Sequence, residues 1–515
     1  MFKSLATRQR LLVGTLVSVA TLAVPAGPRA AQNLPSLLTE STVVRSYDGR
    51  SMPAETLRLT VPARRGRTGP TISVVALRVR STAAHPGNPI VFLMGGPGIP
   101  GSVMAPIPPY FTLFERLRAL GDVIIVDQRG IGSSEPALDC PFDAALPIDA
   151  FVDTRRLVGT IQQRVAACAA QWRAKAVEPK DFNTLESADD IADLRRALGA
   201  EKIDLLAFSY GTRLALAFVQ RHGDHVGRVV LQGVNGPGLV VKRPGPVTRK
   251  LQRIGALLKQ DASWQGPTDL VELSQKARMR LAGAPAAVTI TDQRSAQPMT
   301  LQVSRQGFDA IVSLNLDDAR LPALLLSVAE GDDRVLTRFV EAAWNGLGNG
   351  TVGLMARAVN CAADRPAARR TLAAREGTSA PFGEAIDNEF LTPDFCRAIG
   401  YDTPPVEFAR PVQSAALVLM LTGALDATNP IENAREVARG FPNATVLEIE
   451  NAAHEALTVP AVQDAVVDFL GGTSLRDRPL TAAVPRFASI AEALQPTGRG
   501  RGGLRRPVPG SEPST

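Results

Sequence analysis

Short, largely apolar runs at 89–94, 122–126, 202–208, 228–232, 416–421 and 444–449 read as strands, because a strand buried on both faces has no polar alternation. Between and beyond them lie stretches whose apolar positions recur three and four apart, at about 109–120, 149–175, 184–198, 210–221, 431–439 and 462–470. These read as helices packed on a core. The one at 184 opens on Thr184, Glu186, Ser187 and Asp189, the hydroxyls and acids suited to a helix start, and Gly199 stops it. Strands alternating with helices predict an α/β fold, a mostly parallel sheet flanked by helices. Two β-branched segments, 57–61 and 72–79, flank the basic stretch Arg64-Arg65-Gly66-Arg67 and predict an antiparallel pair at one edge of that sheet.

From about 235 to 410 the rhythm changes to helical periodicity broken by Pro and Gly, as in an inserted, mainly helical cap domain. At the start, Lys3, Arg8 and Arg10 precede an uncharged apolar run over 11–26 that contains Gly14 and Pro25. It is shorter than the roughly 20 residues of a membrane-spanning helix, so it reads as a secretory signal peptide with cleavage expected after Ala26 or Ala31. The expected organisation is a signal peptide over 1–31, the first part of the core over 32–235 and the cap over 236–410. The second part of the core follows over 411–475, then a C-terminal extension over 476–515 ending in a Gly/Arg/Pro tail of disordered composition. Export implies a secreted or periplasmic protein with no stable membrane insertion after cleavage.

Composition changes this picture little. The 515 residues are 45% hydrophobic and 21% charged, enough to bury a large core. The formal charge of +7 comes from the two ends: the leader has four basic residues and no acid, and the tail from 496 has four arginines against Glu512. The body is balanced, which argues against nucleic acid as a partner of the folded part. Four cysteines, Cys140, Cys168, Cys361 and Cys396, contain no C-x-x-C pair. In an exported chain an even count predicts two structural disulfides; three connectivities are open, and proximity favours Cys140–Cys168 and Cys361–Cys396.

The chemistry centres on Ala207-Phe208-Ser209-Tyr210-Gly211, where an apolar strand turns sharply into a helix. That is the nucleophile elbow of the α/β-hydrolase fold, which requires small residues two before and two after the serine because strand and helix nearly touch. A serine nucleophile needs a base and an acid, in the chain order serine, acid, histidine for this fold. Of the four histidines, His85 precedes the core strands, and His222 and His225 end the helix after Ser209. His454 alone lies just past a late strand and downstream of a late acid, so it is the expected base. Asp426, after the preceding strand, is the expected acid, with adjacent Glu455 a weak rival. Two backbone N–H donors are needed for an oxyanion: Tyr210, the residue after the nucleophile, and Gly96, since Pro97 has no N–H.

Taken together, Gly95-Gly-Pro-Gly98, Asp127-Gln-Arg-Gly-x-Gly-x-Ser134, the Ser209-Tyr210-Gly211 elbow, Gly423-x-x-Asp426 and His454 resemble the prolyl aminopeptidase and tripeptidyl aminopeptidase family of α/β-hydrolases over roughly 40–475. The C-terminal portion is similar to the tripeptidyl type. Met94 stands where prolyl enzymes usually have His, and Ala207 where they have Gly. The resemblance implies Ser209, Asp426 and His454 as the triad and Gly96 and Tyr210 as oxyanion donors. It also implies no cofactor or metal, and peptide substrates with a free N-terminus, whose α-ammonium would require an acid in the cap, with Glu330, Glu341 and Glu389 unranked candidates. The alternative activities are hydrolysis of small-molecule esters or amides by the same machinery, and a catalytically silent binding protein on the same scaffold. The loop 127–134 is expected to brace the oxyanion loop rather than touch substrate.

Overall fold

The apolar runs become the centre of one twisted sheet. The computed structural model describes residues 36–495 except 142–145, 349, 384–385, 402–408 and 477; the expected signal peptide and the tail from 496 lie outside the described residues. The first part of the chain contributes β1 (Leu37–Arg45), β2 (Ser51–Pro62), β3 (Thr71–Val79), β4 (Ile90–Leu93), α1 (Pro108–Leu117), β5 (Val123–Asp127), β6 (Asp139–Pro141), α2 (Thr154–Ala174), α3 (Thr184–Ala197), β7 (Ile203–Phe208), α4 (Tyr210–His222) and β8 (Val226–Gln232). An insertion then runs through α5 (Gly245–Leu258), α6 (Leu270–Gly283), β9 (Ala286–Asp292), β10 (Gln297–Val303), α7 (Arg305–Leu314), α8 (Leu321–Ala329), α9 (Arg334–Gly348), β11 (Thr351–Gly353), α10 (Leu354–Cys361), α11 (Ala367–Gly377) and α12 (Pro393–Ile399). The chain returns to the sheet with β12 (Leu417–Gly423), α13 (Ile431–Ala438), β13 (Ala444–Glu450), α14 (Pro460–Leu470), β14 (Leu480–Thr481) and α15 (Ile490–Ala493).

Among the described residues ten strands form the main sheet in the order β1-β2-β3-β5-β4-β7-β8-β12-β13-β14. Pairing is antiparallel from β1 to β5 and parallel from there to β14. The two faces are read by alternate residues of each strand. Val91, Leu93, Leu205, Ala207, Val229 and Leu231 pack with α3, α4 and the insertion. Ile90, Phe92, Leu206, Phe208, Val230 and Leu419 pack with α1 and α14 on the opposite side. Each such Val, Ile, Leu or Phe side chain, taken out of water, stabilises the fold by about 1.5–3 kcal/mol, and Ala207 by less.

Three elements differ from the expectation. β1 lies outside the 57–61 and 72–79 pair and forms the sheet edge; most of its side chains are exposed, so it has no apolar face to show in the sequence. The insertion carries a hairpin, β9 with β10, whose side chains alternate between buried and exposed. β14 extends the parallel sheet beside β13 within the C-terminal extension, where the sequence shows no strand-like run. The insertion is also not self-contained: β11 pairs with β6 of the preceding part, and α12 packs on α2.

Candidate active site

The end of β7 places Ser209 at the tip of a tight turn with φ 54° and ψ −121°, a backbone region that non-glycine residues adopt only under constraint. The constraint is visible. Ser209 N donates to Gln232 O at 2.9 Å, and the Ser209 carbonyl accepts from Thr212 N and from Thr212 Oγ1. A Cβ on Gly211 would stand 2.0 Å from the Leu93 carbonyl, so β4 and α4 can approach only because position 211 has no side chain. Ala207 lies in register with Leu93 and is fully buried, where its methyl fits.

His454 follows β13 and Asp426 follows β12, and the two loops meet above Ser209. Ser209 Oγ and His454 Nε2 are 3.1 Å apart, and His454 Nδ1 and Asp426 Oδ2 are 2.8 Å apart. A carboxylate accepts only, so Nδ1 carries the proton and Nε2 is left to accept from the serine hydroxyl. Asp426 is fixed in turn, because its Oδ1 accepts from the amides of Thr428 and Asn429 at 2.9 and 2.8 Å. Gln232 Nε2 donates to the His454 carbonyl at 2.7 Å, tying the histidine loop to β8.

Burial of the imidazole lowers its pKa, but the charge and hydrogen bond of Asp426 outweigh it. Asp317 adds to the rise and Lys242 opposes it, leaving His454 above the ordinary histidine value of 6.5. Such an arrangement can take a proton from an alcohol and hold the resulting imidazolium.

The loop expected to hold the oxyanion touches the elbow at Gly95; a Cβ there would stand 2.6 Å from Ser209 Cβ and 2.9 Å from Tyr210 N. Gly96 follows with φ 114°, and Tyr210 is the first residue of α4, whose N–H has no intrahelical acceptor and lies at the positive end of the helix. Beneath this loop the 127–134 segment acts as a brace. Gln128 Nε2 donates to Met94 O at 2.8 Å, and the Asp127 carboxylate accepts from Ser102 N, Ser102 Oγ and Ser133 N. Burial pushes the Asp127 carboxyl up, against those hydrogen bonds. Arg129, fully buried, pairs with Asp190 through Nε and Nη2 at 2.7 and 2.6 Å, and its Nη1 donates to the carbonyls of Ala63 and Asp181.

Three residues near the triad were not legible in the sequence. Lys250 of α5, almost fully buried, donates through Nζ to Leu425 O at 2.9 Å and pairs with Asp317, which stands between α7 and α8. Lys242 Nζ donates to Thr428 O and Asn429 Oδ1, both at 3.1 Å. The insertion therefore grips the Asp426 loop on both sides. Nothing in the local sequence separates these lysines from solvated ones; their partners are far along the chain.

The other candidates lie elsewhere. His85 is exposed, His222 Nε2 meets Asp189, and His225 Nδ1 meets the Glu201 carbonyl. Glu455 faces the Tyr110 phenol, whose pKa burial and that carboxylate push well up. Glu330 is exposed, Glu341 accepts from Thr291 N, and Glu389 stands near Arg155. The cysteines pair as Cys140–Cys168 and Cys361–Cys396, with Cα separations of 5.8 and 5.4 Å.

Comparison with known proteins agrees with this architecture. Residues 88–263 match the α/β-hydrolase fold family, and residues 381–479 match a family described as TAP-like protein. The chain is 28% identical to the putative hydrolase YuaR of Escherichia coli over 173 residues, 32% of this chain and 31% of that one. It is 30% identical to the serine protease Hip1 of Mycobacterium tuberculosis over 189 residues, 35% of this chain and 36% of that one. These matches span about a third of the length of each relative. A thermophilic esterase from Thermogutta terrifontis aligns over 80% of this chain and 98% of its own at 15% identity, with a TM-score of 0.35, too low to add to the assignment. The chain has the α/β-hydrolase fold, and its segment 381–479 is similar to the family described as TAP-like protein.

Proposed function

We propose that the protein is an exported serine exopeptidase that releases short N-terminal units from peptides through an acyl-enzyme, in the manner of tripeptidyl or prolyl aminopeptidases. The observation that carries the reading is the continuous pair of hydrogen bonds from Ser209 Oγ to His454 and from His454 to Asp426. In this reading His454 Nε2 takes the hydroxyl proton as Ser209 Oγ attacks the scissile carbonyl carbon. The N–H groups of Gly96 and Tyr210 hold the oxyanion, and the imidazolium gives its proton to the leaving amine as the C–N bond breaks. Water, deprotonated by the same imidazole, then attacks the acyl-enzyme and frees the serine.

Two further observations support the peptide reading and the export. A pocket opens beside Ala427 and Thr428, directly after the acid; its walls include Val247, Leu316 and Phe382, which suit an apolar side chain, beside Lys242 and Arg243. Both cysteine pairs are bonded, as in proteins of an oxidising compartment. The test is a panel of peptide amides with free and acetylated N-termini beside short-chain aryl esters. The reading predicts cleavage of free-amine peptides and a loss of at least about tenfold in kcat/KM on acetylation, roughly 1.4 kcal/mol. Equal rates on both, with esters preferred, would replace it with an esterase.

A further inference from the structure

Arg213 stands four residues beyond Ser209 on α4, and its guanidinium is enclosed at 3% exposure. Nη2 donates to Asn360 Oδ1 at 3.1 Å and, at the long limit, to the Val359 carbonyl at 3.5 Å; Nε and Nη1 have no protein acceptor. No carboxylate pairs with it among the described residues. The guanidinium sits over the Tyr210 ring, 4.8 Å from its centroid, and burial pushes that phenol up, which keeps it neutral. Burial also pushes the guanidinium down, with only the phenol acting against it. An uncompensated buried cation is costly, and proteins rarely carry one without a counter-charge.

The same side chain walls a small cavity, whose other walls include Thr184, Leu185, Gly238, Val359 and Asp364. Thr184 and Leu185 open the 14-residue helix α3. The Asn183 side chain takes the Glu186 amide and the Asn183 carbonyl takes the Ser187 amide, so the amides of Thr184 and Leu185 have no acceptor within the helix. A guanidinium with two unpaired nitrogens and the positive end of a helix thus border one enclosed space.

We infer that this cavity is a binding site for a small monovalent anion of chloride size, held by Arg213 and the N-terminus of α3 behind the nucleophile elbow. The size follows from the walls. Most are apolar, so few donors converge, too few for the oxygens of sulfate or phosphate, and Asp364 among the walls disfavours a divalent anion more than a monovalent one. The anion neutralises the guanidinium and fixes it over the Tyr210 ring. Tyr210 also supplies one of the proposed oxyanion donors, so occupancy stabilises the elbow from behind.

The test is thermal unfolding of the full mature protein at constant ionic strength, with chloride replacing gluconate. A saturable rise in Tm of about 2 °C or more is expected with chloride and with bromide, and is lost in Arg213→Met. Should that variant not fold, a crystal of the wild-type protein grown in bromide supplies the second measurement, with an anomalous peak expected against the Arg213 guanidinium. Equal Tm in chloride and gluconate, a chloride effect that survives Arg213→Met, or a bromide crystal without that peak would each overturn the inference. So would a chloride-insensitive wild type in which Asp364→Asn lowers Tm, since the carboxylate would then be the counter-charge. Stability is the readout, so the result does not depend on the peptidase reading.

Discussion

Lys250 Nζ lies 2.9 Å from the carbonyl of Leu425, one residue before Asp426, and reaches it from a helix of the insertion. The same ammonium is paired with Asp317. The insertion is therefore part of the support of the proposed triad, because the loop that carries Asp426 is held by α5 as well as by β12. Lys250→Met keeps the stem and removes the donor. Hydrogen bonds to charged groups contribute about 1.5–3 kcal/mol, so kcat is expected to fall about tenfold or more while KM changes less. Steady-state kinetics beside a melting curve check this; a lower Tm with unchanged kcat would reduce Lys250 to a structural residue.

The pH dependence follows from the charges around His454. In the proposed mechanism His454 works as the base only when neutral, and its pKa is raised above 6.5, so activity is expected to rise with pH through a midpoint above that of an ordinary histidine. Asp317 contributes to the rise, and Asp317→Asn is therefore expected to move the acid limb of kcat/KM to lower pH. Lys242 opposes the rise, and Lys242→Gln is expected to move the limb to higher pH. Opposite shifts in the two pH–rate profiles support the assignment, and shifts of the same sign contradict it.

The brace under the oxyanion loop is a matter of stability. Arg129 has no exposure, and its partner Asp190 is nearly as buried and also receives Arg65. Removing one member of a buried pair leaves the other charge uncompensated, so Arg129→Ala is expected to cost about 3–5 kcal/mol in urea unfolding. A loss under about 1 kcal/mol would mean that Arg65 suffices.

The disulfides close loops of 28 and 35 residues. Replacing either pair with alanines is expected to lower stability by about 3 kcal/mol through the freed unfolded chain. Unfolding of each double variant beside the oxidised protein gives the figure.

The elbow was legible in the sequence because its constraint is local: Gly211 must lack a side chain under Leu93, and Ala207 and Ser209 stand beside it in the chain. His454 was legible by elimination among four histidines, and Asp426 by its place after a strand. Lys250 was not, because its partners lie 67 and 175 residues away and a lysine beside Leu251 on a helix looks like any solvated lysine. The β9–β10 hairpin was missed for a different reason. Its turn, 293–296, has no glycine; Ala296 takes φ 55° itself while its amide donates to the Asp292 carbonyl, so the usual hairpin punctuation is absent.

Intact-protein mass spectrometry after treatment with a fluorophosphonate tests the central claim most directly. One adduct is expected, on the peptide that contains Ser209, with no adduct in Ser209→Ala and a strongly slowed one in His454→Ala. An adduct on another residue, or one formed as fast in Ser209→Ala as in the wild-type protein, would contradict the account.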